Sequence, residues 1–172
     1  MAVGSDERTH VTDAVVDHLR GVGIDVELHG PLDDQPLDWV DVGRAVGERV
    51  ASGACQQGLL FCWTGTGVSI AANKVAGVRA ALCADAETAK GARRWNDANV
   101  LAMSLRSTPE AVAKEIVDAW LETGLDETER ATIAKVETPS PTLPTRGREN
   151  RESSPQRGRE NREGSPQRGR EG

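Results

Sequence analysis

Tyrosine is absent from this sequence and phenylalanine occurs once, although tryptophan occurs four times. No stretch approaches the ~20 consecutive apolar residues of a membrane span, so no membrane partner is expected. The first residues lack the charged-then-apolar pattern of a secretory leader, and the cytoplasm is the expected compartment. The three cysteines, Cys55, Cys62 and Cys83, have no C-x-x-C spacing and no histidine at metal-ligand distance in sequence, which argues against a zinc site or a disulfide framework. The histidines, His10, His18 and His29, are scattered through the first thirty residues and read as solvated or capping side chains. Neither a metal nor another cofactor is expected.

A chain of 172 residues accommodates one domain and a tail. The net charge of −6 hides a division: residues 146–172 hold eight Arg and five Glu, net +3, which leaves −9 on the rest. An acidic domain argues against nucleic acid as its main ligand.

The chain is organised around LLFCWTGTGVSIAANK, residues 59–74. A short apolar run, Leu59 to Cys62, reads as a buried strand. A Gly/Thr loop over residues 63–67 follows, then helix-forming residues from Val68. Amides at a helix start, joined by glycines that admit a ligand closely, hold phosphates and oxyanions. The spacing matches neither a P-loop nor a dinucleotide fingerprint. On geometry alone, an anion site and a plain turn both remain open.

Taken in order, residues 2–3 read as a strand ending at Gly4-Ser5-Asp6, and residues 7–21 as a helix. Residues 25–29 alternate like a strand, residues 30–38 form a loop, and residues 40–51 a second helix. After the central unit come a strand at 78–83, a helix at 86–94 and a strand at 100–105. A further helix spans 111–121, started by Thr108 as N-cap with Pro109 just inside. Residues 126–136 read as a mostly polar helical piece. Alternating strands and helices imply right-handed βαβ crossovers, hence a three-layer αβα sandwich on a five-stranded parallel, Rossmann-like sheet. Ligands of such sheets sit beyond the carboxyl ends of the strands, where Asp6, Cys62 and the 63–67 loop belong.

This α/β domain is expected over residues 1–137 and a disordered tail over 138–172. From Arg146 the tail repeats with a period of eleven: RGRENRESSPQ, RGRENREGSPQ, RGREG. Proline recurs and no apolar seam exists, so disorder is expected rather than a coiled coil. Its Arg-Gly content resembles RNA-binding segments, but interspersed Glu and the lack of aromatics argue against a nucleic-acid partner.

The runs Cys62-Trp63-Thr64-Gly65-Thr66-Gly67, Ser69-Ile70-Ala71-Ala72-Asn73-Lys74, Gly77-Val78-Arg79-Ala80-Ala81-Leu82-Cys83 and Asn96-Asp97-Ala98-Asn99-Val100-Leu101-Ala102 occur in one register with Gly4-Ser5-Asp6. Over roughly residues 2–122 the chain resembles the ribose-5-phosphate isomerase B family, which includes the galactose-6-phosphate isomerase subunits. The resemblance implies interconversion of an aldose and a ketose phosphate through an enediolate. Cys62 then matches the proton-transferring base, and a thiolate base near neutrality is reasonable where helix-end amides lower a thiol's pKa. The other reading of Cys62 is a buried strand cysteine. Gly65, Thr66, Gly67 and Ser69 match the enediolate-holding loop, Thr64 a ring-opening threonine, and Asp6 and Asn96 substrate-contacting positions. The resemblance also implies a small sugar phosphate as ligand and a homodimer, or a dimer of dimers, in which residues 126–136 reach the partner's site.

The departures bear equally on function. The family's Ser-Asp-His is Ser5-Asp6-Glu7 here, and its ring-opening histidine is Trp95, whose indole has no usable acid or base. The family's C-terminal phosphate-clamping arginines are represented by Arg130, with Lys135 downstream. Trp39, Trp63 and Trp95 fall at positions that line the family's pocket, which raises stacking recognition of a sugar as an alternative to a phosphate clamp. Loss of the histidine and arginines also leaves open a non-catalytic binding relative that keeps the fold and the anion loop.

Overall fold

The computed structural model describes residues 1–137, so the expectation of a repetitive, disordered tail lies outside the described residues. Five parallel strands form one sheet: β1 (Ala2–Ser5), β2 (Glu27–His29), β3 (Gly58–Cys62), β4 (Ala80–Leu82) and β5 (Val100–Ser104), in the order β2-β1-β3-β5-β4. They are connected through α1 (His10–Gly21), α2 (Trp39–Ala51), α3 (Thr66–Ala72) and α4 (Ala86–Asn96), and α5 (Glu110–Glu122) follows β5.

The strand order decides the layers. From β1 to β2 and from β4 to β5 the chain steps one way along the sheet; from β2 to β3 and from β3 to β4 it steps the other way. Right-handed crossovers therefore assign α1 and α4 to one face and α2 and α3 to the other. Packing agrees. Val15 and Leu19 of α1, Ala92 of α4 and Trp120 of α5 share a core with Val3, Phe61 and Met103. Val42 and Val46 of α2 and Val68 of α3 share the opposite core with Ala2, Leu60, Cys62 and Ala102. The period of two along β3 puts Leu59 and Phe61 under one layer and Leu60 and Cys62 under the other.

Several boundaries differ from expectation. The first helix starts at His10, because Thr9 and Thr12 form a reciprocal capping box and Ser5 Oγ holds the preceding turn by bonding Glu7 at both its N–H and its carbonyl. Thr108 does not cap α5: it is buried, its amide bonds Ser104 O, and Pro109 takes the N-cap position without a side-chain bond. The fourth strand shortens to Ala80–Leu82 because asparagine side chains hold the residues before it. Asn99 Oδ1 accepts from the Arg79 N–H, while Asn73 pairs with both the N–H and the carbonyl of Ala80 on the sheet's open edge. A side-chain amide in that position substitutes for a neighbouring strand. Residues 126–136 resolve into a 3₁₀ turn, Glu127–Glu129, and a single helical turn, α6 (Arg130–Ile133).

Among the described residues no helix is long and apolar enough to cross a membrane, and no group of three or more His, Cys, Asp or Glu is arranged to hold a metal ion.

Candidate active site

The connection from β1 leaves the sheet in one direction and the connection from β3 in the other, so a crevice opens beyond the carboxyl ends of these neighbouring strands. Asp6 follows β1 and Cys62 ends β3. Cys62 lies under the α2–α3 layer and is 5% exposed, the last buried side chain before the loop.

The loop itself is fixed from below. Trp63 O accepts from Ser104 Oγ (2.9 Å) and from the Arg106 N–H (3.0 Å), and Cys62 O accepts from the amides of Gly65 and Leu105. Gly65 then turns the chain into α3 with φ +74°, where a Cβ would also lie 2.5 Å from Leu82 Cδ1 and 2.9 Å from the Met103 carbonyl. Both the left-handed backbone and the lack of space require glycine. The first intrahelical bond of α3 is Ser69 N–H to Gly65 O. The amides of Thr66, Gly67 and Val68 therefore donate to no protein acceptor among the described residues, and no side chain caps the helix. Thr64 and Thr66 hydroxyls are bonded to each other at 2.7 Å on the same rim.

The α2 N-terminus stands beside this loop. Asp38 caps it through the amides of Val40 (2.9 Å) and Asp41 (3.0 Å), and Trp39, its first residue, lies across Gly67: a Cβ there would sit 2.9 Å from Trp39 Cε3. Trp39 thus forms part of the rim, half exposed, while Trp63 is 60% exposed. Gly67→Ala is expected to displace the Trp39 ring and to cost about 1–3 kcal/mol of stability. A shifted tryptophan emission and a lower urea midpoint would report it; unchanged emission and midpoint would contradict the contact.

Asp6 is the electrostatically distinctive group. Its Oδ1 is shielded from solvent and has no hydrogen-bond partner among the described residues. Burial holds its carboxyl above the ordinary range; a bond from its own backbone amide opposes this, and the charges of Glu7 and Asp38 add to the rise. A perturbed carboxyl at a sheet's switch point is a candidate ligand-contacting group. The other two thiols are placed differently. Burial, with Asp85 adding, pushes Cys83 up to about 12, so it stays a thiol. Cys55 lies near the start of β3, at the opposite edge, beside Glu27.

Within one chain the structure brings together Asp6, Cys62, Thr64, Gly65, Thr66, Gly67, Ser69, Trp39 and Trp63, and leaves Trp95, Asn96 and Arg130 apart. Helix α4 runs antiparallel to the strands, so its end lies at the amino edge, where Val100 pairs with Gly58 at the start of β3. That edge is separated from Cys62 by the length of β3, about 13 Å at ~3.3 Å per residue. There Trp95, 55% exposed, packs on Gly91 and lines a groove of about 500 Å³ with Asn73, Val78, Asn96 and Ile133. Arg130 is held by Glu127 through two bonds of 2.8 Å. Asp97 is paired with Arg79 at 2.9 Å. Arg106, which the sequence analysis did not single out, stands exposed two residues after β5 on this carboxyl edge.

A parallel sheet with a cysteine, an uncapped glycine loop and a shielded carboxyl around one switch point is a candidate small-molecule site of an αβα protein. The family model described as Ribose/Galactose Isomerase matches residues 1–137, and the chain belongs to that family. Ribose-5-phosphate isomerase B of Escherichia coli is 42% identical over 107 residues, 62% of this chain and 72% of that one. D-erythrulose-4-phosphate isomerase of Pectobacterium atrosepticum is 36% identical over 125 residues, 71% of this chain and 82% of that one. Among solved structures, ribose-5-phosphate isomerase B of Clostridium thermocellum superposes with a TM-score of 0.74 at 36% identity, covering 79% of this chain and 93% of that one.

Proposed function

We propose that the protein is a sugar-phosphate aldose–ketose isomerase that works in the cytoplasm through an enediolate, with Cys62 as the base. The single observation that carries this reading is the junction of β3 and α3. A cysteine sits at the strand end, directly before a loop whose next amides, those of Thr66, Gly67 and Val68, are unpaired. The thiolate removes the C2 proton of the open-chain aldose; the electron pair moves to the carbonyl oxygen, and the unpaired amides hold the enediolate that forms. The O2 hydroxyl proton then shifts to O1, the C2–O bond becomes the new carbonyl, and the proton held by the thiol returns to C1, giving the ketose with no net oxidation. Asp6 binds a substrate hydroxyl, Ser69 completes the loop and Thr64 assists ring opening. Arg106, with its backbone tied to Trp63, is the exposed cation on this edge that we assign to charge balance of the bound anion.

Asn96 and Trp95 join such a site from a second copy, because their own chain holds them at the opposite edge. Arg130 follows the same logic, provided that Glu127 releases it. Sedimentation showing a fully active monomer would contradict this assembly. The substrate is tested with a panel of four- to six-carbon aldose phosphates, including ribose 5-phosphate, each followed by NMR for ketose formation. The expected result is conversion of at least one. Tight binding without conversion of any would favour a non-catalytic binding protein, the reading that the replacement of the family histidine by Trp95 supports.

A further inference from the structure

The carbonyls of Cys62 and of the residue after it each accept two hydrogen bonds. Cys62 O takes the amides of Gly65 (3.2 Å) and Leu105 (3.0 Å), and Trp63 O takes the Arg106 amide (3.0 Å) and Ser104 Oγ (2.9 Å). Three of these four donors come from consecutive residues at the end of β5, so the neighbouring strand holds the backbone that carries the thiol. Register explains the closeness. Ser104 pairs with Cys62 in the parallel β3–β5 ladder, and the period of two along β5 puts it on the face of Ala102, where Cys62 also lies. The same hydroxyl has a second bond: Ser104 Oγ accepts from the Ser107 amide (3.3 Å), while Ser104 O accepts from the Thr108 amide (3.1 Å). Together they close residues 104–108 into a side-chain-capped turn. Arg106 stands exposed in the middle of that turn, and Thr108 is buried at its end. One oxygen therefore joins the backbone after the thiol to the turn that carries the cation.

We propose that Ser104 is a positioning residue that couples Cys62 to Arg106. By donating to Trp63 O and accepting from the Ser107 N–H, it holds the base and the cation at one spacing across the crevice. It touches no substrate and acts through its two neighbours. Of the four bonds to the Cys62 and Trp63 carbonyls, three are made by backbone amides and survive substitution, whereas the Ser104 bond does not. The coupling is therefore separable from the fold. Its part in turnover rests on the isomerase reading; its part in holding an anion at Arg106 is read by binding alone.

The test reads binding and turnover in wild type, Ser104→Ala, Ser104→Thr, Arg106→Gln and the double variant Ser104→Ala with Arg106→Gln. The aldose phosphates of the panel, ribose 5-phosphate first, are titrated by calorimetry and followed by NMR, while circular dichroism and urea unfolding check the fold. Ser104→Ala is expected to raise Kd about fivefold and to lower kcat about tenfold, the sizes that one lost hydrogen bond and a slightly misplaced base produce. Ser104→Thr keeps the hydroxyl and is expected to stay within about twofold of wild type. With Arg106→Gln already present, Ser104→Ala is expected to change Kd less than about twofold, because the group it places is gone. An alanine variant with wild-type Kd and kcat, or a Kd loss as large without Arg106 as with it, would overturn the proposal whatever the urea midpoint does. Wild-type protein that binds a sugar phosphate but converts none would overturn the isomerase reading alone, and the Kd comparison still decides on Ser104. Binding of no sugar phosphate would overturn both.

Discussion

Cys62→Ala is expected to lower turnover of the sugar phosphate by about 10³-fold, within the 10²–10⁴ that a positioned general base contributes. The substitution removes the thiol at the end of β3: Cys83, which follows β4 on the same edge, stays protonated, and Cys55 lies at the other end of β3. The lost volume is small and the site is next to the rim, so stability is expected to fall by only about 1 kcal/mol. KM should change little, because the loop amides and Asp6 are untouched. Cys62→Ser separates shape from acidity: its hydroxyl fills the space but is a far weaker source of anion near neutrality, so turnover should stay close to that of the alanine variant. Retention of more than a tenth of wild-type turnover by Cys62→Ala would exclude the thiol as base.

Trp120→Ala is expected to destabilise the fold by about 3–5 kcal/mol. This indole is 1% exposed, donates from Nε1 to Gln57 Oε1 at 2.7 Å, and lies under the Arg93 guanidinium at 5.2 Å from the ring centroid. It therefore ties α5 to the residue before β3 and to α4. Removing it leaves a cavity, strips Gln57 of its donor and exposes a guanidinium whose pKa burial already lowers. Against a typical total of ~5–15 kcal/mol, that loss is about a fifth or more. Trp120→Phe keeps most of the volume and loses the N–H bond, so it should fall between. Urea unfolding measures both, and an alanine variant within about 1 kcal/mol of wild type would contradict the packing described.

How far the sequence carried depended on the kind of feature. The β3–loop–α3 unit was readable because apolar run, glycines and helix formers change sharply there. The five strands and the αβα class followed from alternation alone. Strand order did not, since it is set by which edges pair, and only then does crossover handedness sort helices to faces. Boundaries failed where a side chain replaced backbone pairing: Asn73 and Asn99 shorten β4, and Ser5 delays α1. The site was legible for residues that follow β1 and β3. Grouping Trp39, Trp63 and Trp95 did not take into account that α4 ends at the amino edge, which holds Trp95 and Asn96 away from Cys62 within one chain. The pairing of Arg130 with Glu127 depends on the 3₁₀ turn running directly into α6, which brings residues three apart together and which composition does not reveal.

The central claim is that this crevice moves a proton between C1 and C2 of a sugar phosphate. It is tested most directly by incubating the protein in D₂O with ribose 5-phosphate and the wider aldose and ketose phosphate panel, and reading label by NMR. Deuterium at C2 of an aldose or C1 of a ketose, absent with Cys62→Ala, is the predicted result. A folded protein that binds one of these sugars yet leaves every C1 and C2 proton unexchanged would contradict it.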